Sequence, residues 1–456
     1  MIIRFEAPSP WRERGVHLLE LVPEAIVESE PPSWDLEVKV ELRGQILLLT
    51  AKVGRQRDRA IVPASSADFQ RALFRLLGKI TDSDPSPWGI LTGVRPGKVA
   101  ARLLQNLSRE DTIVRLREQY LLREEKAKLL VEVVGAGYPL LNRRGVSIYI
   151  SVPFCPSRCH YCSFAAHPLA RWQHVLPKYI EQAASELGKL LEACRAYQLP
   201  VNSIYVGGGT PTSLAPEQLA ILLAPAIKPG CEFTVEAGRP DTITPRHLEV
   251  LGGLGVTRVS VNCQYPSEKT LQAIGRNHTI QEFQQALMAA QSSEIGIINS
   301  DMIVGLPEQT LAGFIQGLEY LICKGVQNIT IHALSLKRGA KTQHQYLPPD
   351  LAGEIAQAAY QFLQERDYRP YYLYRQKNIS ANLENIGFAL PGTFCYYNVA
   401  SIAESEPVLG VGAGAVSKLV MHNRIETLNN PADPIQYLAR SQSLVRRKLD
   451  WLRHSS

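Results

Sequence analysis

Six short runs of β-branched and apolar residues alternate with amphipathic segments between residues 146 and 332. This alternation is typical of βα units, in which helical crossovers let successive strands pair in parallel. Six units instead of eight predict an open, partial barrel, with functional residues at the carboxyl ends of its strands, where the loops gather. The predicted strands are Val146 to Val152, Ser203 to Val206, Glu232 to Glu236, Arg258 to Val261, Gly296 to Val304 and Asn328 to His332.

The residues on either side of the predicted barrel have a different pattern. A chain of 456 residues has room for two or three domains at about 150 residues each. Before the barrel, strand-like segments flank a turn at Arg43 and Gly44, and the apolar spacing predicts a helical segment over Asp111 to Val134. We therefore predict an N-terminal α+β accessory domain at 1–140, the barrel at 141–335 and a C-terminal cap on the substrate side at 336–456.

The composition is that of a soluble globular protein, with 45% hydrophobic and 20% charged residues. The chain has 49 Lys and Arg against 43 Asp and Glu, which gives a net charge of +6. The basic residues do not form a polybasic tail. Nucleic-acid binding is therefore not indicated, whereas an anionic substrate would suit this charge. The N-terminal residues lack a signal-peptide pattern, and no apolar run approaches the roughly 18 residues of a membrane span. We expect a cytoplasmic protein without a membrane span.

Three of the eight cysteines lie close together directly after the first predicted strand, at Cys155, Cys159 and Cys162. Three thiolates suit a [4Fe-4S] cluster that keeps one iron free for another ligand. The spacing alone also leaves two other interpretations open. A structural zinc ion would take a fourth ligand such as His160 or His167, and unliganded cysteines would pack as small apolar groups.

The run around these cysteines resembles the signature of the radical S-adenosylmethionine (SAM) superfamily, most closely its coproporphyrinogen oxidase branch. It reads Tyr149-Ile-Ser-Val-Pro-Phe-Cys155-Pro-Ser-Arg-Cys159-His-Tyr-Cys162. The branch also has a Gly-rich turn after its second strand, where this chain has Gly207-Gly-Gly-Thr-Pro-Thr212. Glycines let a backbone approach a ligand closely and expose its amide groups, which suits the amino-acid end of SAM. The resemblance implies an α/β fold, a partial (β/α)6 radical SAM barrel, with a [4Fe-4S] cluster and SAM as cofactors.

Four further residues match the branch in strand order: Glu236, Gln264, Arg276 and Asp301. Each alone would more often be a cap, a solvated side chain or a surface charge. In the family, the corresponding groups hold the ribose and methionine parts of SAM, and a carboxylate and an arginine suit those roles. The resemblance thus implies a cofactor site formed by Tyr149, Tyr161, Gly208, Gly209, Thr210, Glu236, Gln264, Arg276 and Asp301, beside the cluster cysteines.

Three segments outside the signature resemble the oxygen-independent coproporphyrinogen III dehydrogenases of the HemZ type: Leu91 to Pro96, Tyr374 to Asn378 and Asn382 to Gly387. The implied reaction is oxidative decarboxylation of two propionates of coproporphyrinogen III to vinyl groups, which gives protoporphyrinogen IX in heme biosynthesis. The implied partners are a tetrapyrrole substrate and a reductive electron donor such as flavodoxin or ferredoxin. We expect Arg375 and Lys377 to contact the propionates, because carboxylates need cationic partners.

Two positions depart from the established bacterial enzyme. Position 164 is Phe instead of a fourth cysteine, and Ser151 stands where a histidine is common. Because heme chaperones of the same branch also lack that cysteine, a heme carrier is the alternative function, and a related radical SAM methyltransferase is a third. The long N-terminal module, which the chaperones usually lack, favours the dehydrogenase. Cys395 lies in a segment that resembles the substrate-side loop of the family, so a role near the active site is a further hypothesis.

Overall fold

The computed structural model describes residues 1–22, 26–29, 33–82, 86–141, 143–162, 166–335, 347–376, 379–420 and 424–455. The chain forms two compact units, Met1–Val134 and Gly135–Ser456. The predicted division into three domains, with boundaries at 140 and 335, stays a prediction.

The first unit is built around a five-stranded mixed sheet. Its elements and the helix that leads out of it are β1 (Ile2–Glu6), α1 (Trp11–Leu19), β2 (Ile26–Glu28), β3 (Leu36–Arg43), β4 (Ile46–Val53), β5 (Gln56–Pro63), α2 (Ser66–Thr81), α3 (Gly97–Leu104), α4 (Arg109–Tyr120) and α5 (Glu124–Gly137). The strand order is β2-β1-β3-β4-β5. β3 buries Leu36, Val38 and Val40 because alternate side chains of a strand point to one face, and this face packs against α1 and α2.

The helical segment predicted over Asp111 to Val134 is two helices. Leu121 adopts a left-handed conformation with φ 59°, and its N–H donates to the carbonyl of Leu116, which ends α4. The sequence pattern did not predict this break, because glycine, not leucine, is the residue that usually takes this conformation.

The second unit contains the predicted barrel. It comprises β6 (Val146–Val152), β7 (Phe154–Cys155), β8 (His167–Pro168), α6 (Leu169–Trp172), α7 (Leu176–Ala196), β9 (Val201–Gly208), α8 (Pro216–Leu223), β10 (Glu232–Glu236), α9 (Pro245–Gly253), β11 (Arg258–Ser260), α10 (Glu268–Ala273), α11 (Ile280–Gln291), β12 (Ile297–Val304), α12 (Leu311–Cys323), β13 (Asn328–Ala333), α13 (Pro349–Gln364), β14 (Arg369–Tyr374), β15 (Asn385–Ala389), α14 (Tyr396–Ala403), β16 (Val408–Val411), β17 (Val416–Val420), β18 (Ile425–Asn429) and α15 (Pro434–Ser455). Among the helices of the described residues, none has both the length and the apolarity that crossing a bilayer requires.

One sheet runs through this unit in the order β14-β15-β13-β12-β11-β10-β9-β6-β16-β17-β18. Its central strands β6, β9, β10, β11, β12 and β13 pair in parallel and correspond to the six predicted strands. The prediction of a partial barrel of βα units is therefore confirmed. Their carboxyl ends lie at one edge of the sheet, where the motif residues were expected.

Both sides of the six parallel strands are extended by residues beyond 335. β15 pairs antiparallel with β13, and β14 pairs antiparallel with β15. On the other side β16 pairs in parallel with β6, and β17 and β18 continue the sheet in antiparallel fashion. The segment predicted as a cap therefore supplies strands to the barrel sheet itself.

The C-terminal helix α15 is attached to the barrel by a buried ion pair. Lys448 Nζ donates to Glu186 Oε1 of α7 at 2.6 Å and to Asn430 Oδ1 at 3.0 Å. The other carboxylate oxygen of Glu186 accepts from the Tyr437 hydroxyl at 2.6 Å and from the Gly412 amide at 3.0 Å. Because both charged side chains are almost completely buried, each depends on the other to compensate its charge.

Replacing Lys448 by methionine is therefore expected to destabilise the fold. The Glu186 carboxylate would stay buried without a counter-charge, which lowers the free energy of unfolding by about 3–5 kcal/mol. Chemical unfolding followed by circular dichroism measures this loss. The matched control is Lys178→Met on the exposed face of α7, which should change the free energy by no more than about 0.5 kcal/mol. Equal stability of Lys448→Met and the unmodified protein would contradict the prediction.

Candidate functional site

The three cysteines that follow β6 line one cavity of about 370 Å³. Cys155 Sγ lies 3.3 Å from the hydroxyl of Thr210, in the Gly-rich turn after β9. Burial raises the pKa of the Cys155 thiol, and the hydrogen bond with Thr210 opposes this shift. Bound iron would reverse the balance, because a metal ion stabilises the deprotonated thiolate. The donor set and its position thus fit a metal cluster.

The Gly-rich turn lies directly against the cysteine loop. The Gly209 amide donates to the carbonyl of Val152 at 2.7 Å, and the Thr210 amide donates to the carbonyl of Phe154 at 2.8 Å. A Cβ atom at Gly209 would lie 2.5 Å from the Phe154 carbonyl oxygen. Glycine is therefore required at this position because two backbones touch there.

The two histidines considered as zinc ligands do not line this cavity. His160 Nδ1 lies 3.1 Å from the carbonyl oxygen of Ala273, and His167 Nε2 lies 3.1 Å from that of Ala432. Within the described ranges, no group of three His, Cys, Asp or Glu side chains is arranged to hold a metal ion. The thiolates of a four-iron cluster bind different iron atoms, so they are spaced more widely than the ligands of one ion.

Most residues that the resemblance assigned to SAM surround the same cavity as the cysteines. The lining residues among them are Tyr161, Gly208, Gly209, Thr210, Glu236, Gln264, Arg276 and Asp301. Tyr149 is the exception. It lies behind this wall, with its ring stacked 6.3 Å from Tyr205 and 6.2 Å from Tyr397, and both of these tyrosines line the cavity. The assignment of these residues to SAM stays a prediction.

Glu236 lies at the carboxyl end of β10, and its carboxyl group has a pKa close to neutral pH. The Tyr205 hydroxyl donates to its Oε1 at 2.5 Å. Burial raises the pKa of Glu236 to about 7, although the Tyr205 hydrogen bond opposes the shift, and the negative charge of Asp301 adds to it. A cation that entered the cavity beside Glu236 would favour the ionised form.

Asp301 on β12 has a lowered pKa, in contrast to Glu236. The amides of Asn299 and Asn262 donate to its two oxygens at 3.0 and 2.8 Å, and His332 Nε2 lies 3.8 Å from Oδ2. Burial alone would raise the pKa of Asp301, but His332 and these polar neighbours outweigh it, and the pKa is lowered. Asp301 is therefore an acceptor whose ionised form is favoured by its neighbours.

Two of the lining residues that the resemblance assigned to SAM hold polar atoms that the described part of the chain does not satisfy. Arg276 is 3% exposed, and its Nη2 donates to the Gly238 carbonyl at 2.8 Å. Its Nε and Nη1, and Oε1 of Gln264, have no hydrogen-bond partner among the described residues. Because buried polar groups are normally paired, these atoms fit a polar ligand. A guanidinium suits the carboxylate of SAM, the role that the resemblance gives Arg276.

The sequence reasoning did not predict Arg239, an arginine that contacts the cysteine loop. Arg239 forms a two-point ion pair with Asp241, at 3.1 and 2.8 Å. Its Nη1 donates to the hydroxyl and the carbonyl of Ser157, inside the cysteine loop, at 2.9 and 3.2 Å. Arg239 lies shortly after the end of β10. The expectation that functional residues gather at the carboxyl ends of the strands would therefore also have predicted Arg239.

Of the two nominated substrate contacts, only Arg375 lies among the described residues. Arg375 is 4% exposed and does not line the cavity, although its two sequence neighbours, Tyr374 and Gln376, both do. Burial lowers its pKa to about 10, although the charge of Glu384 opposes the shift. The structure therefore does not place Arg375 in the cavity wall, and its contact with a propionate stays a prediction. Lys377 lies outside the described residues. Cys395, by contrast, does line the cavity.

The comparisons with known proteins agree with this geometry. The family model of the radical SAM superfamily matches residues 149–321. The oxygen-independent coproporphyrinogen-III oxidase-like protein HemZ of Bacillus subtilis is 36% identical over 384 residues, which cover 80% of this chain and 77% of HemZ. The chain belongs to the radical SAM superfamily, in the family of HemZ.

Two further similarities bear on fold and function. The heme chaperone HemW of Haemophilus influenzae is 27% identical over 287 residues, 60% of this chain and 70% of HemW. The solved structure of the coproporphyrinogen III oxidase HemN from Escherichia coli matches with a TM-score of 0.52 and 20% identity, and the match covers 67% of this chain and 72% of HemN. This second match shows the fold. As a radical SAM protein the chain uses a [4Fe-4S] cluster and SAM.

We expect each of the substitutions Cys155→Ala, Cys159→Ala and Cys162→Ala to prevent assembly of the cluster, because three thiolates are the protein ligands that the loop offers. Iron content and the brown absorbance of anaerobically reconstituted protein measure this. Cys323→Ala, at an exposed cysteine of α12, is the matched control and should keep full iron content. A cluster that persists in all three loop variants would rule out the assignment.

The affinity for SAM is expected to depend on pH through Glu236. Below about pH 7 the protonated form of this side chain prevails in the SAM-free protein, so SAM, which is cationic at its sulfur and its amino group, gains an ionised partner only after a proton is lost. Affinity should fall by up to about tenfold per pH unit below that point, as equilibrium binding to reconstituted protein would measure. Glu236→Gln should bind weakly with a flat profile, and the exposed control Glu249→Gln should keep the slope. A slope that survives in Glu236→Gln would assign the titration to another group.

Proposed function

We propose that the chain catalyses the oxygen-independent oxidative decarboxylation of coproporphyrinogen III to protoporphyrinogen IX. In each of two rounds, a propionate loses a hydrogen atom from its β-carbon and then carbon dioxide and one electron, so that a vinyl group remains. When bound, the cluster and SAM supply the 5′-deoxyadenosyl radical that takes the hydrogen atom, and an external acceptor takes the electron. A cytoplasmic location and reduction by a flavodoxin or ferredoxin belong to the same proposal.

The number of arginines in the cavity wall is the observation that supports this proposal most. Arg158, Arg239, Arg258 and Arg276 all line the cavity, and Arg239 is the one whose charge is offset by a two-point ion pair, with Asp241. Coproporphyrinogen III has four propionates, and guanidinium groups bind carboxylates strongly and with defined geometry. In this proposal the chain binds and orients the propionates, and the cofactors supply the difficult chemistry.

Carriage of heme is the alternative, because the heme chaperone HemW is also similar to this chain. A carrier commonly needs an axial histidine. His332 is the histidine among the described residues of the cavity wall, and its Nε2 and Nδ1 face Asp301 and Asn385, with Nδ1 3.3 Å from Asn385 Oδ1. Burial lowers the pKa of His332, but Asp301 outweighs it and the net shift is upward. Because an iron ligand must give up its proton and the upward shift makes this loss less favourable, this arrangement favours the decarboxylase.

The test is an oxygen-free incubation of reconstituted protein with SAM, a reductant, an electron acceptor and coproporphyrinogen III. We expect protoporphyrinogen IX together with two molecules of 5′-deoxyadenosine for each molecule formed. Cys155→Ala should give neither product. Stable heme binding without 5′-deoxyadenosine or vinyl products would replace the decarboxylase by a heme carrier, and a methylated product would instead indicate a methyltransferase.

A further inference from the structure

Arg258, at the start of β11, lines the cavity deep inside the barrel. Its side chain is 2% exposed, and it belongs to the cavity wall. Nη2 donates to the Thr393 carbonyl at 2.8 Å, but Nε and Nη1 have no hydrogen-bond partner within the part of the chain that the structure describes. Because leaving buried N–H groups unpaired is costly, this side chain is arranged for an acceptor that the chain itself does not provide.

The same arrangement occurs at Arg276. Each of the two guanidinium groups is fixed by one Nη2 hydrogen bond of 2.8 Å to a backbone carbonyl, Thr393 for Arg258 and Gly238 for Arg276. Each keeps Nε and Nη1 unpaired, and both line the same cavity. The cavity therefore offers two separate cationic positions, of which the expected SAM site uses one.

Thr234 adds a third unpaired polar group beside Arg258. The two residues are register partners on the neighbouring parallel strands β10 and β11, so their side chains point to the same face of the sheet. Thr234 is completely buried, lines the cavity and has a hydroxyl without a partner among the described residues. Two N–H groups and one hydroxyl, all without a partner among the described residues, thus belong to neighbouring side chains of the cavity wall.

The nearest carboxylate, Glu232, is occupied by other donors. Its Oε2 lies 3.7 Å from Arg258 Nη2 and accepts from the Tyr396 amide at 2.8 Å. Oε1 accepts from the Tyr397 amide at 3.0 Å and from the Cys395 thiol at 3.3 Å. Glu232 therefore fixes Arg258 from the Nη2 side and leaves Nε and Nη1 for a ligand.

Arg258 also lies at a depth in the barrel from which a bound carboxylate could reach the expected SAM site. Thr234 pairs with Arg258, and Glu236 pairs with Ser260, so Arg258 lies two residues before the layer of Glu236. This separation is roughly 7 Å along the strands. A carboxylate held at Arg258 would therefore keep the carbons attached to it close to the layer in which the expected SAM-binding residues lie.

We propose that Arg258 and Thr234 form a carboxylate-binding subsite inside the barrel, separate from the expected SAM site. The inference rests on the proposed function, for which the carboxylate is a propionate of the tetrapyrrole. The subsite breaks no bond. It fixes one propionate, so that the side chain is held in a single orientation relative to SAM during hydrogen removal.

Binding of coproporphyrin III, the oxidised and fluorescent form that does not react, tests this proposal in protein loaded with cluster and SAM. Arg258→Gln should weaken binding about tenfold to a hundredfold, because a hydrogen bond to a charged group is lost. Thr234→Val, which removes only the hydroxyl, should weaken it several-fold, and Arg258→Lys should recover part of the loss. The tetramethyl ester of coproporphyrin, which carries no carboxylates, should bind equally to all variants.

Two controls separate binding from folding. Arg246→Gln, at an exposed arginine of α9, should bind coproporphyrin III like the unmodified protein. SAM affinity and the melting temperature should be unchanged in Thr234→Val, so this variant keeps the test valid if Arg258→Gln fails to fold. If the unmodified protein binds coproporphyrin III and both variants bind it equally well, the subsite is wrong although the proposed function stands.

Bromide soaks of crystals of the loaded protein test the subsite independently of any tetrapyrrole. We expect an anomalous bromide peak beside Nε or Nη1 of Arg258 that is absent in Arg258→Gln. If coproporphyrin III does not bind at all, such a peak would support the anion subsite and contradict the proposal that its ligand is a tetrapyrrole. Ordered water alone at Arg258 overturns the subsite, whatever the tetrapyrrole result.

Discussion

The candidate site depends on the contact between the Gly-rich turn and the cysteine loop. Two backbone hydrogen bonds join the turn to Val152 and Phe154, and the space for a side chain at Gly209 is filled by the Phe154 backbone. This contact also brings the Thr210 hydroxyl to the thiol of Cys155. The loop is thus fixed to its neighbour by the chain itself, which lowers the conformational cost of placing three thiolates around one cluster.

The parallel sheet then brings together acidic groups with different behaviour. Glu236 and Asp301 both line the cavity, and the charge of each disfavours ionisation of the other. His332 and the asparagine amides favour the ionised form of Asp301, whereas the pKa of Glu236 is raised to about 7. One carboxylate is therefore charged before a ligand binds, and the other can ionise in response to a cation. Two carboxyl groups of similar type thereby acquire different roles from their neighbours alone.

The sequence predicted the parts of the site that follow from local motifs. The cysteine loop, the Gly-rich turn and the strand-end residues Glu236 and Asp301 all reach one cavity, because parallel strands place their carboxyl ends together. Arg258 was not predicted, because whether a residue at the start of a strand faces the barrel interior depends on the register of the strand. Arg375 was assigned to the substrate from its positive charge, but charge alone does not show whether an arginine lies in the cavity wall or is buried beside it. The strands beyond residue 335 were missed since pairing between distant segments has no local signal.

Ser151, which stands where a histidine is common, packs against the Gly-rich turn and not in the cavity wall. Ser151 is buried in β6, pairs in register with Gly207 and does not line the cavity. A Cβ atom at Gly208 would lie 3.0 Å from the Ser151 hydroxyl oxygen, so the small side chain lies directly against the Gly-rich turn. A larger side chain at position 151 would have to fit beside this turn, and a close-packed interior accommodates such a change only if its neighbours shift. Ser151 and the turn are therefore matched in size, and this departure weighs neither for nor against decarboxylation of a tetrapyrrole.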